Sequence, residues 1–174
     1  MSPQKKICLL GSFGVGKTSL VARYVHSLFD VKYQTTVGVK VDRKRIRVDG
    51  TEIVLMVWDL AGEDEFNSVR TSYLRGSSGY VLVADGTRSE TLQTAFDLDS
   101  RVQKVLPELP RVLVLNKVDR VRDWEVDSEA LRRSSARHEA VVETSAKTGS
   151  GVDDAFGLLA EAMMMKRQAW TPRS

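Results

Sequence analysis

A chain of 174 residues, 42% hydrophobic and 28% charged with a formal net charge of +3, is the size of one domain that buries roughly 70% of its unfolded surface without disulfide or metal staples. That small positive excess is no argument for a nucleic-acid partner, and a single cysteine excludes an intramolecular disulfide and suits a reducing compartment. No run approaches the ~20 apolar residues of a membrane span. The start Met1-Ser2-Pro3-Gln4-Lys5-Lys6 lacks a signal-peptide core and a glycine to myristoylate, and the end Ala169–Ser174 has no cysteine to prenylate. We therefore expect a cytoplasmic protein without a lipid anchor.

Lys6–Leu10 is an apolar run that reads as a first strand, with Cys8 a buried, inert thiol inside it. It leads into Gly11-Ser12-Phe13-Gly14-Val15-Gly16-Lys17-Thr18, which fits the phosphate-cradling pattern G-x-x-x-x-G-K-[ST]. Glycines let successive backbone N–H groups close around phosphate oxygens. Gly14, Val15, Gly16, Lys17, Thr18 and Ser19 are expected on the phosphates. Lys17 acts there as a point charge at the β- and γ-phosphates, and the Thr18 hydroxyl as a Mg²⁺ ligand. A helix from Lys17 to about Ser27 follows, with Leu20, Val21, Tyr24 and Val25 on one side. Its N-terminus adds free N–H groups and a positive dipole end.

Gly38–Val48 and Glu52–Trp58 flank the tight-turn pair Asp49-Gly50 and should form an antiparallel hairpin. Arg43, Arg45 and Arg47 share one face of it, a charged edge that discourages strand addition. Asp59 stands where a strand's C-terminal edge places a carboxylate, expected on the Mg²⁺ through water. Gly62 leaves room for a backbone N–H to approach a γ-phosphate.

Tyr80–Ala84 and Val112–Leu115 are short buried strands, and Val141-Val142 begins the last one. Helices are expected at about Ser89–Leu106, Asp127–His138 and Val152–Arg167. The last carries Val152, Ala155, Phe156, Leu159 and Met163 on one stripe and Ser150-x-x-Asp153 as a cap. Met163-Met164-Met165 reads as helix end and core filler. Strands alternating with helices predict an α/β domain with a mostly parallel sheet covered on both faces. After the strand Val112–Leu115 comes Asn116-Lys117-Val118-Asp119. A carboxylate at Asp119 can accept both the N1 and N2 donors of guanine, an arrangement adenine does not offer.

With these motifs the chain resembles the Ras superfamily of small GTPases over essentially its whole length. Trp58-Asp59-Leu60-Ala61-Gly62 is similar to the W-D-T-A-G segment of the Rab branch, and Glu143-Thr144-Ser145-Ala146-Lys147 to the E-T-S-A-K base-binding segment. The nearest likeness is to Rab-like GTPases without lipid tails, of the kind found in bacteria. The resemblance implies a three-layer P-loop NTPase fold, one small G domain over residues 1–174. Its sheet would have six strands, mostly parallel with one antiparallel edge hairpin, and carry about five helices. It implies that Ser145, Ala146 and Lys147 complete the guanine pocket with Asn116 and Lys117, and that Phe29 packs on the base. Tyr33 would lie near the γ-phosphate, and Thr36 would bind Mg²⁺ and γ-phosphate. Thr36 and Gly62 would hold two switch segments, about residues 29–39 and 59–75, onto the γ-phosphate until hydrolysis releases them. Effectors, an exchange factor and an activating protein would read those segments on a monomer or weak dimer.

Two residues depart from the family pattern. Glu63 stands where Gln usually orients the attacking water; it keeps an acceptor but adds charge beside the γ-phosphate. Its sign stays open: repulsion would slow catalysis, whereas a raised pKa would let it take a proton from water. Phe13 replaces a glycine or serine and should crowd an activator's arginine, unless its ring turns outward onto a switch. The expected activity is a slow GTP hydrolase acting as a switch, with Lys17, Thr36, Gly62 and Glu63 in catalysis. A GTP-binding interaction module that barely hydrolyses is the alternative. A different P-loop enzyme, such as an ATPase or nucleotide kinase, conflicts with the base motifs.

Overall fold

The computed structural model describes residues 1–29, 38–60, 71–134 and 138–169, with the backbone alone at 71, 133–134 and 167–169. Strand β1 (Gln4–Leu10) runs into helix α1 (Lys17–His26). The hairpin β2 (Val39–Val48) and β3 (Thr51–Leu60) follows, then a short α2 (Thr71–Leu74). Next come β4 (Ser77–Asp85), α3 (Ser89–Val105), β5 (Arg111–Asn116), a 3-10 turn over Val118–Asp123, α4 (Ser128–Ser134), β6 (Ala140–Thr144) and α5 (Val152–Ala169). The six strands lie in the order β2-β3-β1-β4-β5-β6. Every neighbouring pair is parallel except the β2–β3 hairpin. Strand order turns back on itself at β1, so the loop after β1 opens at the point where open α/β sheets bind ligands.

Alternation along the buried strands builds two cores, one on each face of the sheet. Ile7, Leu9, Leu55, Val57, Val81 and Val83 meet Leu20 and Tyr24 of α1 and Phe156, Leu159 and Met163 of α5. Tyr24 and Phe156 stack with ring centroids 4.0 Å apart, which locks α1 against α5. On the other face Cys8, Leu10, Tyr80, Leu82, Leu113 and Leu115 pack under Ala95 and Val102 of α3 and Leu74 of α2. Burial pushes the Cys8 thiol pKa up, as expected of an inert core thiol. Of the methionine run, Met163 is core and Met165 is exposed. Arg43, Arg45 and Arg47 are all exposed on the edge strand β2.

Several strands run a residue or two beyond expectation, the one-turn α2 has no counterpart in it, and three further differences bear on the site and core. Strand β4 starts three residues before Tyr80 and ends one residue beyond Ala84, at Asp85. Helix α4 is described over Ser128–Ser134, and the chain is no longer helical at His138, whose side chain is buried, 2% exposed, beside Asp99. The start of α5 is shaped by Gly151 at φ +70°, where a Cβ would lie 2.2 Å from the Glu143 carbonyl oxygen. The turn therefore rests on glycine, and no Ser150 side-chain cap occurs among the described residues.

His138 belongs to a buried polar cluster under α3. Asp99 Oδ1 accepts from Tyr80 Oη at 2.6 Å, and Tyr80 Oη accepts from Gln103 Nε2 at 2.7 Å. Arg111 Nε lies 2.6 Å from the same Asp99 oxygen as an ionic contact without hydrogen-bond alignment, and His138 Nε2 is 3.5 Å from Oδ2. Burial alone would raise the Asp99 pKa, but His138, Tyr80 and Arg111 outweigh it and hold the carboxyl below its usual value. A carboxyl depressed on folding contributes stability above its unfolded pKa, near 3.9, and loses it as pH falls through the lower folded value. Asp99→Asn should therefore cost about 3 kcal/mol in urea unfolding at pH 7. The variant should also show a flatter loss of stability below about pH 4 than the unaltered chain.

Candidate functional site

The site is built at the C-terminal edge of the sheet from four loops. Between β1 and α1, Gly16 adopts φ +103°, and a Cβ there would fall 2.2 Å from Asn116 Nδ2. Glycine is required by the backbone and by the neighbour alike. Lys17 is buried, and its Nζ donates to the carbonyls of Gly11 at 2.7 Å and Ser12 at 3.1 Å. The ammonium thus spans the mouth of the loop. Thr18 Oγ1 donates to Asp59 Oδ2 at 2.7 Å, joining the first turn of α1 to the end of β3. A hydroxyl and a buried carboxylate in contact are hard oxygen donors of the kind Mg²⁺ takes while keeping waters and phosphate oxygens. The donor set fits that ion.

At the other end, three base-motif residues divide the work. Asn116 is 2% exposed and is used structurally. Its Nδ2 donates to the Val15 carbonyl at 3.0 Å, while its Oδ1 accepts from Thr144 Oγ1 at 3.0 Å and the Ala146 N–H at 3.3 Å. Lys117 takes positive φ, +73°, and its Nζ donates to the Gly14 carbonyl at 2.9 Å. Asp119 is exposed, and its Oδ1 accepts from Ser145 Oγ at 2.6 Å. Ser145 and Ala146 are buried and Lys147 is exposed on the adjoining loop. Phe29 is half-buried against the core beyond α1, and Phe13 is 50% exposed on the lip of the phosphate loop. Tyr33, Thr36, Gly62 and Glu63 lie outside the described residues.

Two participants escaped the sequence reading. Asp85, at the end of β4 and 1% exposed, accepts from Lys117 Nζ at 2.8 Å and Arg88 Nε at 3.0 Å through Oδ2. Its Oδ1 accepts from Thr87 N–H at 2.9 Å and Thr87 Oγ1 at 2.7 Å. Arg88 Nη2 in turn donates to the Phe13 carbonyl at 3.3 Å. Two cations anchored on one carboxylate therefore hold two successive phosphate-loop carbonyls. Burial would raise the Asp85 pKa; the donors from Lys117, Thr87 and Arg88 overcome it and keep the carboxyl below its usual value. A carboxylate directly after the buried run Tyr80–Ala84, like Asp59 near the end of β3, was the available signal. The second is Arg23 on α1, which donates from Nε to the Ala146 carbonyl and from Nη2 to the Lys147 carbonyl.

A protein-family model for the Ras family matches residues 6–165. The chain belongs to the Ras family. It is 32% identical over 171 residues to Ras-related protein Rab-18 of Lymnaea stagnalis, covering 97% of this chain and 85% of that one. It is 35% identical to Ras-related protein Rab-7b of Mus musculus, covering 97% and 88%. It is 34% identical to Ras-related protein Rab-32 of Mus musculus, covering 95% and 78%. The molecule is a Rab-like small GTPase, a guanine-nucleotide-binding switch that hydrolyses GTP and works with regulators and effectors. Among the described residues of this GTPase, no helix is long and apolar enough to cross a membrane.

Asp85→Asn should leave Lys117 and Arg88 without their counter-charge. We expect nucleotide affinity about tenfold or more weaker, read by calorimetric titration with GDP, because a charged hydrogen bond is worth roughly 1.5–3 kcal/mol.

Proposed function

We propose that this chain works as one G domain over residues 1–174. It would hold Mg²⁺-GTP, hydrolyse it slowly, and signal through segments 29–39 and 59–75. The observation that carries the reading is that one buried amide, Asn116, joins the two ends of a single site. Lys17 and the Thr18–Asp59 pair stand at the phosphate end, and Asp119 held by Ser145 stands at the base end. A bound Mg²⁺ ion would neutralise charge on the β- and γ-phosphate oxygens. Thr18 and Asp59 are the described residues that would hold it, Asp59 through water, and Thr36 would join them. Lys17 would bind the same phosphates, and Gly62 would offer its N–H to the γ-phosphate. Phe29 and Tyr33 would cover the base and the γ-phosphate respectively.

Glu63 positions the attacking water in this proposal, so Glu63→Ala should slow single-turnover hydrolysis by about a hundredfold, the scale of one general acid–base or water-orienting group. An unchanged rate would overturn the role. Phosphate release too slow to follow in the unaltered chain would favour the second reading, a binding module disarmed by Glu63 and Phe13. Phe13 supports that reading because its half-exposed ring stands on the loop lip, in the path an activator's arginine would take.

Specificity has its own test. Displacement of bound GDP should require at least ~10⁴-fold more ATP than GTP, since a site built to receive particular donors strongly rejects a ligand lacking them. Asp119→Ala should lose most of that margin. Equal competition by the two nucleotides would overturn the assignment. We propose further that the molecule is a cytoplasmic monomer or weak dimer that does not bind nucleic acid; its switches would be read by an exchange factor, an activating protein and effectors.

A further inference from the structure

Arg23 lies in the second half of α1, the helix whose first turn carries Lys17 and Thr18. Its guanidinium leaves the helix toward the loop after β6. There Nε donates to the Ala146 carbonyl at 2.8 Å and Nη2 to the Lys147 carbonyl at 2.6 Å. The side-chain stem passes beside Gly149, where a Cβ would lie 3.6 Å from Arg23 Cδ.

What these two carbonyls do follows from peptide geometry. In a trans peptide the C=O of one residue and the N–H of the next point to opposite sides of a rigid plane. Fixing the Lys147 carbonyl on Arg23 therefore fixes the Thr148 N–H on the other side, and that N–H donates to Ser145 Oγ at 3.1 Å. Ser145 Oγ in turn donates a hydrogen bond to Asp119 Oδ1 at 2.6 Å. An unbroken series thus runs from Arg23 through the Lys147–Thr148 plane and the Ser145 hydroxyl to the carboxylate that faces the base. Fixing the Ala146 carbonyl turns the Lys147 N–H away from α1 in the same manner. The loop's remaining hold from Asn116, at Ala146 N–H, is a longer 3.3 Å contact.

The geometry points to Arg23 as a positioning residue that sets the orientation of Asp119, and with it the residence time of the nucleotide and the preference for guanine. This rests on the guanine-nucleotide reading above. A loss at the base end should accelerate release of GDP and GTP by the same factor, because the two nucleotides share the base and differ only in phosphate. It should also erode discrimination against hypoxanthine, which keeps the N1 donor but lacks the N2 amine that a well-aimed carboxylate receives.

The test measures dissociation of fluorescent GDP and of a fluorescent, non-hydrolysable GTP analogue, together with GDP and IDP affinities. The proteins are the unaltered chain, Arg23→Ala, Arg23→Lys and Lys44→Ala. Lys44 serves as the control because its Nζ donates to the Tyr24 carbonyl on the same helix without touching the base loop. Arg23→Ala should release both nucleotides about tenfold faster and narrow the GDP-over-IDP preference by several-fold. Arg23→Lys, able to serve one carbonyl at a time, should fall between, and Lys44→Ala should match the unaltered chain. Rates within twofold of the unaltered chain in Arg23→Ala would overturn the proposal. So would acceleration for one nucleotide alone, an unmoved GDP-over-IDP preference, or equal effects in Lys44→Ala. Failure of the unaltered chain to bind guanine nucleotide would instead overturn the underlying reading.

Discussion

The Asn116 carboxamide satisfies one donor and two acceptor roles inside a buried junction, and two other segments of the chain meet on it. The phosphate loop hangs from its nitrogen through Val15, while the strand end at Thr144 and the base loop at Ala146 hang from its oxygen. A buried amide left unsatisfied costs free energy on the scale of a whole hydrogen bond or more, so these segments cannot drift apart independently. The same nitrogen sits where a side chain on Gly16 would have to go. Close approach of backbone to amide is thus the constraint from which the shape of the nucleotide cleft follows.

Around that junction the charges are arranged in layers. Asp85 is buried and takes its counter-charge from Lys117 and Arg88, and each cation also reaches a phosphate-loop carbonyl. Asp59 is buried and takes the Thr18 hydroxyl. Asp119 alone of these three carboxylates is solvent-facing. Burial thus separates the two carboxylates that hold the scaffold from the one left exposed at the cleft.

Much of this was legible in the sequence because it is written in short-range chemistry. Gly11–Thr18 and Asn116–Asp119 each announce a loop whose backbone needs their residue types, and the buried strands betray themselves by apolar runs bounded by turns. Asp85 escaped notice because a carboxylate after a strand is ordinary turn chemistry until Lys117, thirty-two positions on, folds back onto it. Arg23 escaped because a helix surface arginine looks solvated in sequence, and its partners are carbonyls, which sequence does not display. His138 has the same origin: only tertiary packing reveals that its side chain is buried beside Asp99 and not on a helix. Helix α2, a single turn of four residues, is too short for any periodicity to register.

Gly86 follows Asp85 directly and is roofed by the indole of Trp124, so closely that a Cβ would fall 2.1 Å from the ring. The backbone N–H of Glu125 donates to the Gly86 carbonyl at 2.8 Å, tying that indole to the hub of the cleft. Trp58 stands on the β3 strand with the Lys6 ammonium 3.8 Å from its ring centroid. Among the described residues these two tryptophans therefore sit in unlike surroundings, one roofing the backbone after β4 and one beside a cation on the sheet. With no label attached, the emission of Trp58 and that of Trp124 would each answer to a different local change.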